Sequence, residues 1–426
     1  MSSSPTIDAA RSLNVMRRAL FLSSFPIGVL TLGIPIYAPD KLGSDAVQVG
    51  TLLGIYALMT LIMRPLVGPG LDRYGRRRFF IAGLALQLLS NVFFAAGGSF
   101  DWLFWGRLAQ GVSAGMVWLS AYAITADLAA QGKSGNLFGS VEEMLARGGL
   151  YGAAIGAPIL LLARFDQRAW SFVFAFYGVL NAIGLGLAWR GLPETSHGAD
   201  RLPSGNGSTI TRPLTLLAVI VLCTSIAYNG LAPILIQFVR AEITNDTIIL
   251  GLMYLPSAIV FAFLQSRLGR LADRVGRKLP IAAGLTTSGV SSAIVPNLAL
   301  LAPAIGAWVL LPLVGLWVSE AVAFSAATPA EQALVADLSE GKSRGKAFGL
   351  YTSALSLGQV IGPVWGGYLY ESVSHSAPFY FNTIVLWIGA AVMALLIQDP
   401  HRRQPAVVVS LAPHEPPSQW PSAGGQ

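Results

Sequence analysis

Four carboxylates and two guanidinium groups interrupt stretches that are otherwise apolar: Glu142, Glu143, Glu320 and Glu331, with Arg107 and Arg147. Within a bilayer such a group costs about 2.5–3.5 kcal/mol, so it is kept where it faces a cavity or a partner. Glu143 and Arg147 are four residues apart, the spacing of an ion pair on one helix face. Glu142 is turned by about 100° from Glu143, so the two carboxylates cannot share an environment. A carboxylate taken out of water holds its proton more tightly, and one beside a guanidinium releases it. A group that alternates between those surroundings can couple a proton to a change of shape. Either Glu320 or Glu142 is the expected proton carrier. Arg107, Gln110 and the Glu143–Arg147 pair are expected to organise a cavity, with Glu331 about three turns from Glu320. A plain packing role for Glu143–Arg147 is an equal alternative.

A second set of charges lies in short loops. Residues 68–78 read GPGLDRYGRRR and residues 269–278 read GRLADRVGRK. Asp72 can accept hydrogen bonds from the N-terminus of a neighbouring helix, and Arg76, one turn on, can reach Asp127. Asp273, Arg277 and Asp337 repeat the set. Together with Gly68, Arg73, Gly75, Gly269, Arg274 and Gly276 they form an expected gate at one face. Charges that merely orient insertion are the rival reading, but that would not place a matched aspartate in each copy.

The elements that carry these groups follow from composition. Apolar residues make up 54 % of the 426 and charged residues only 12 %, about half the share in soluble proteins. Twelve apolar runs are long enough to cross a bilayer, at about 17–38, 46–67, 78–98, 102–127, 136–162, 168–189, 214–239, 247–268, 279–297, 305–335, 346–370 and 377–398. Their continuity predicts helices rather than barrel strands. Arg17 and Arg18 precede the first run as in a signal peptide, but there is no A-x-A cleavage site, so this run is expected to remain as a span. With both ends inside the cell, about 22 of the 28 Lys and Arg fall on the cytoplasmic side. Lys41, Arg164, Arg168 and Arg240 fall outside, and Arg107 and Arg147 lie within helices. The net charge of +7 therefore records insertion direction, and no nucleic-acid partner is expected.

The expected architecture is an all-α integral membrane protein with twelve transmembrane helices in two pseudo-symmetric six-helix bundles. Residues 1–16 form a cytoplasmic tail, 17–190 and 214–400 the two bundles, 191–213 a linker and 401–426 a disordered tail. Pro193, Pro203 and the Ser-Gly-Asn-Gly-Ser run at 204–208 mark the linker. The halves are related: ADLAAQGKSGNLFG at 126–139 matches ADLSEGKSRGKAFG at 336–349. The offset that aligns them carries Arg107 onto Trp317, Gln110 onto Glu320, Glu143 onto Ser353 and Arg147 onto Leu357. Repeated features build the scaffold, whereas unrepeated charges are the better candidates for transport chemistry. Such duplicated hexads place a binding site near the midplane, between bundles that rock against each other. Trp118, Tyr122, Tyr228, Asn229, Gln237 and Trp317 are expected to line it, which suits an apolar or amphipathic ligand; packing is as good a reading for any one of them.

These residues resemble those of the major facilitator superfamily. The G-x-x-x-D-R-x-G-R-[RK] loop is that family's diagnostic motif and occurs twice, at Gly68–Arg77 and Gly269–Lys278. Arg107-x-x-Gln110-Gly111 is similar to a second motif, linked there to proton coupling. A third, G-x-x-x-G-P-x-x-G-G, is associated with exporters. It is degenerate here in the fifth span, as Gly152-x-x-x-Gly156-Ala157-Pro158, and complete in the eleventh, Gly358 to Gly367. The resemblance covers residues 15–400. It implies a secondary transporter working by alternating access; export of small organic compounds in exchange for protons is its leading expectation. Import of a metabolite by symport and ligand sensing without transport stay open. No enzyme activity, cofactor or metal is expected. The single Cys223 makes no disulfide, and His197, His375, His401 and His414 fall in loops or tails. Gly132-Lys133-Ser134 and Gly341-Lys342-Ser343 lack the earlier glycine of a phosphate loop. The expected setting is the plasma membrane, as a monomer whose partners are lipid, protons and a small-molecule substrate.

Overall fold

The computed structural model describes residues 5–44, 46–129, 134–195, 211–244, 247–339 and 344–397. These residues form α-helices with short connections, and no strand occurs among them. The first half comprises α1 (Pro5–Ser23), α2 (Phe25–Leu42), α3 (Ala46–Tyr74), α4 (Arg76–Ala96), α5 (Phe100–Leu128), α6 (Ser134–Leu162) and α7 (Gln167–Gly191). The second comprises α8 (Arg212–Glu242), α9 (Thr247–Phe263), α10 (Gln265–Val275), α11 (Lys278–Ile305), α12 (Leu310–Leu338), α13 (Arg344–Ser372) and α14 (Ala377–Leu396). With α1–α2 and α9–α10 each counted as one interrupted span, the helices make twelve spans.

Seven helical stretches are apolar and long enough to cross a bilayer by length and composition alone. The others fall short for local reasons. Helix α5 carries Arg107, Gln110 and Asp127, and the first and eighth spans are divided. Pro26, at the second position of α2, has no N–H to carry the α1 ladder forward. At Leu264, between α9 and α10, there is no proline.

Helix α1 begins at Pro5, well before the expected end of a tail at residue 16. The extension is helical because Leu13, Met16 and Leu20, spaced on one face, are buried with Phe80, Ile124 and Leu192. Helix α11 runs on to Ile305, past the expected limit at 297. Pro296 and Pro303 lie inside it, as membrane helices tolerate where neighbours satisfy the freed backbone groups. The end of the linker's described part, Leu192 to Thr195, folds back on the bundle. Residues 196–210 and 398–426, with His197, His401 and His414, lie outside the described residues, as do Gly132, Lys133 and 341–343.

The loops at Gly75 and Gly276, the start of α1 and the end of α7 share one face, here called the basic face. Gly75 has φ 94° and Gly276 has φ 94°. An L side chain is strained in that backbone region, so the same turn joins α3 to α4 and α10 to α11. Between the halves, α3 packs on α13 and α6 on α10 and α12.

Candidate functional site

The basic face is closed by two equivalent constructions. Asp72, at the end of α3, accepts from the backbone N–H of Gly345 at 2.9 Å and of Lys346 at 3.2 Å, capping α13 in the other half. Asp273, at the end of α10, accepts from Gly135 at 2.9 Å and Asn136 at 2.8 Å, capping α6. Each carboxylate meets the positive end of a helix dipole across the seam. A Cβ added at Gly68 would lie 2.8 Å from the Gly345 carbonyl oxygen, and one at Gly269 would lie 2.2 Å from that of Gly135. Glycine is what lets the backbones approach so closely.

Behind each cap stands a buried arginine. Arg76 lies 3.7 Å from Asp72 and 2.9 Å from Asp127. Arg277 pairs with Asp273 and with Asp337, the latter at 3.1 Å, and donates to Ser134 across the seam at 2.8 Å. Asp127 also receives Arg344 from the other half at 2.9 Å and the Thr195 hydroxyl at 3.1 Å. Glu194 caps α4, accepting from Arg76 N–H at 2.8 Å. Arg73 and Arg274 are exposed and stand outside this network.

Deeper in, Phe138 of α6 and Phe348 of α13 meet with ring centroids 5.7 Å apart. Tyr122 of α5 lies 6.3 Å from the first and 5.9 Å from the second. Beyond this aromatic layer sits Glu142, whose Oε1 accepts from the Tyr122 hydroxyl at 2.7 Å and from Gln332 Nε2 of α12 at 2.6 Å. Its two partners come from opposite halves. Glu331 accepts from the Tyr351 hydroxyl at 3.1 Å. Arg64 of α3 crosses the seam to the Thr352 carbonyl and the Ser356 hydroxyl of α13.

Glu143 and Arg147 are an ion pair on α6, with a specific seat. In an unbroken helix Ser266 N–H would donate to the Ala262 carbonyl, four residues back. Instead Ser266 N–H donates to Glu143 Oε2 at 2.9 Å, and Arg147 Nε donates to the Ala262 carbonyl at 2.7 Å. The Arg147 guanidinium also lies 4.8 Å from the Phe263 ring centroid. The pair is thus inserted into the break between α9 and α10, a known way to kink a helix. Its counterparts on α13 are Ser353 and Leu357, and α3, the counterpart of α9–α10, is continuous.

The remaining candidates divide by half. Arg107 donates to Gln110 Oε1 at 2.8 Å and lies 5.2 Å from the Tyr56 ring centroid. Gln110 and Trp118 line a small cavity with Tyr56, Gln87 and Ser113. In the other half Glu320 has Ser288 as its hydrogen-bond partner and lies near Tyr228 and Tyr254. Tyr228 stacks on Phe324 at 5.3 Å, and Tyr254 on Trp317 at 4.6 Å. Asn229 bonds within its own helix, to Ser225 at 2.8 Å. The Gln237 side chain lies outside the described residues. Arg64, Glu194, Gln332 and Arg344 join the site without having been singled out by the sequence; Arg64, a lone cation inside an apolar run, is the one that carried a signal.

Fold and seam together define a membrane carrier of two related bundles, latched to each other at one face. The chain belongs to the Major Facilitator Superfamily, whose model matches residues 19–316 and 217–423. It is 26 % identical over 383 residues to Multidrug resistance protein 1 of Bacillus subtilis (strain 168), covering 89 % of this chain and 95 % of that one. It is 26 % identical over 379 residues to the chromaffin granule amine transporter of Rattus norvegicus, covering 87 % and 70 %. The structure of the proton:xylose symporter XylE bound to 6-bromo-6-deoxy-D-glucose has the same fold, with a TM-score of 0.70 at 16 % identity, covering 93 % of this chain and 97 % of that one.

Proposed function

We propose that this transporter exports small organic compounds in exchange for protons by alternating access. The basic face and both termini lie in the cytoplasm of a cell whose plasma membrane holds the protein as a monomer. The observation that carries the reading is the divided partnership of Glu142. Tyr122 moves with one half and Gln332 with the other, so parting the halves at the basic face removes one hydrogen bond and admits water. A carboxyl whose partners and hydration change with the state of the seam exchanges its proton on the same cycle.

Glu320 supplies the complementary substrate end. A carboxylate beside two stacked aromatic pairs fits an amphipathic organic cation, through charge and through the ring faces. The printed names of the relatives, a multidrug resistance protein and an amine transporter, agree with that class. Arg107 and Gln110 are buried together in the opposite half, where Gln110 lines a small cavity with Tyr56 and Trp118.

The test is flux in proteoliposomes of defined orientation with an imposed proton gradient. Export predicts that a lipophilic cation moves from the basic-face side against the proton flow, and that Glu142→Gln abolishes gradient-driven accumulation. Movement of substrate and proton in the same direction would replace this reading with symport, and absence of any flux would replace it with sensing.

A further inference from the structure

On the outer side of the first half, away from the seam, α1 and α7 enclose a groove near the basic face. Its volume is about 830 Å³, and its walls include Arg11, Asn14 and Arg18 from α1 with Ile183, Leu187 and Arg190 from α7. No carboxylate lines it among the described residues. The helices are antiparallel: Val15 packs against Gly191, and Ala19 against Gly184. Arg11 and Arg190 therefore stand at the rim. Arg18 is set roughly 10 Å deeper, two turns along α1. Towards the bilayer core Ile183 is 50 % exposed and Leu187 40 %, and Trp189 beside the rim is 65 % exposed.

Several other arginines on this face are engaged, whereas Arg73 and Arg274 project from it as exposed single charges outside the groove. Arg76, Arg277 and Arg344 pair with aspartates, Arg77 donates to the Leu192 and Trp189 carbonyls, and Arg17 donates to Ser140. Arg11, Arg18 and Arg190 have no hydrogen-bond or ion-pair partner among the described residues. A charge that merely fixes orientation needs neither a concavity nor convergence from two helices. Three unpaired guanidinium forks over an apolar wall match a phosphodiester with an acyl chain beneath it.

We propose that the α1–α7 groove binds an anionic phospholipid of the leaflet at the basic face. Its phosphodiester sits among Arg11, Arg18 and Arg190, and its acyl chain lies along Ile183 and Leu187. Arg18 also borders a second crevice, shared with Arg17 and Arg147, so it is the most informative single position. The proposal rests on membrane insertion and is independent of what the carrier transports or which ion drives it.

The experiment is native mass spectrometry of the full-length protein titrated with phosphatidylglycerol and phosphatidylcholine. The expected result is a preference for phosphatidylglycerol of about tenfold, equivalent to about 1.4 kcal/mol. Arg18→Gln/Arg190→Gln should reduce it to parity, while Arg78→Gln/Arg212→Gln, which removes the same charge elsewhere, should leave it. Absence of preference in the unaltered protein overturns the proposal. So does an equal loss in the Arg78/Arg212 variant, which would mean diffuse attraction. Displacement of the lipid by millimolar inorganic phosphate would assign the groove to a free anion instead. Should the double variant unfold, as read by circular dichroism, Arg18→Lys and Arg190→Gln decide the question: the first should retain most of the preference and the second should lose several-fold.

Discussion

Glu143 and Ser266 meet across the seam at a bond that the eighth span has given up. The Ser266 N–H donates to Glu143 at 2.9 Å, while its ordinary partner, the Ala262 carbonyl, takes Arg147 at 2.7 Å. Each orphaned backbone group has a charged side chain in place of its helical neighbour. Withdrawal of α6 would leave both groups free to bond each other, so the break belongs to the state with the basic face closed.

Glu143→Ser and Arg147→Leu test this by copying the residues at the corresponding positions of the other half. Either change alone leaves a charge and a backbone group without a partner, at about 1–3 kcal/mol for a buried polar group. Both together allow α9 and α10 to join. The expected outcome is strong non-additivity: each single variant loses closed-face population, and the double variant recovers part of it with a straighter eighth span. Distances between spin labels at exposed positions 78 and 270 report the closure. Additive effects would show that the pair is only packing.

The two caps make an independent prediction. Asp72 and Asp273 each hold the N-terminus of a helix from the opposite half, so Asp72→Asn and Asp273→Asn should weaken closure to a similar degree. Loss of a charge at a helix end costs about 0.3–1 kcal/mol, and up to about 2 when partly buried. Reactivity of engineered cysteines at 136 and 346, which keep the backbone N–H groups of the caps, towards an impermeant thiol reagent should rise about two- to tenfold in each variant, matching those energies. A change confined to one half would contradict the equivalence of the latches.

Much of this latch was legible because its chemistry is local and duplicated. Asp72 and Arg76 are one helical turn apart, and their copies at 273 and 277 recur after the same kind of apolar run. Glu142 stood out as a charge in a span, but Gln332 did not: an amide carries no charge penalty that would mark it. Glu194 lies in a polar linker where nothing in the pattern says that the chain turns back to α4. Arg64 carries a signal as a lone cation inside the apolar run at 46–67, but nothing in the pattern marks its partners on α13. The break at Leu264 has neither proline nor glycine, since its cause is the pair on α6.

Close backbone approach at Gly269 gives a steric prediction. A methyl group there would stand 2.2 Å from the Gly135 carbonyl oxygen, whereas one at Gly68 would stand 2.8 Å from that of Gly345. Backbone, unlike the tip of a long side chain, has little room to yield. Gly269→Ala should therefore displace the equilibrium towards an open basic face more than Gly68→Ala does. Limited proteolysis of the loops at 75 and 276, with intact helicity as a control, would rank the two variants. Equal sensitivity would mean that the α6–α10 contact relaxes more easily than its spacing suggests.

Arg64 tests whether the seam is held by charge or by hydrogen bonding. Its guanidinium reaches the Thr352 carbonyl and the Ser356 hydroxyl of α13, while Glu142 is held by Tyr122 and Gln332 on the neighbouring pair of helices. Arg64→Lys keeps the charge but loses the planar fork that serves two acceptors at once. Arg64→Gln keeps some hydrogen bonding and loses the charge. If directional bonding closes the seam, both variants should shift the labels at 78 and 270 apart, and Ser356→Ala should add little to Arg64→Lys because the two residues form one contact. If charge alone matters, Arg64→Lys should behave as the unaltered protein does. Substrate exchange without a proton gradient, measured on the same preparations, should survive in Arg64→Lys at a rate within about tenfold, a barrier change of about 1.4 kcal/mol, because the contact breaks and re-forms once in each cycle.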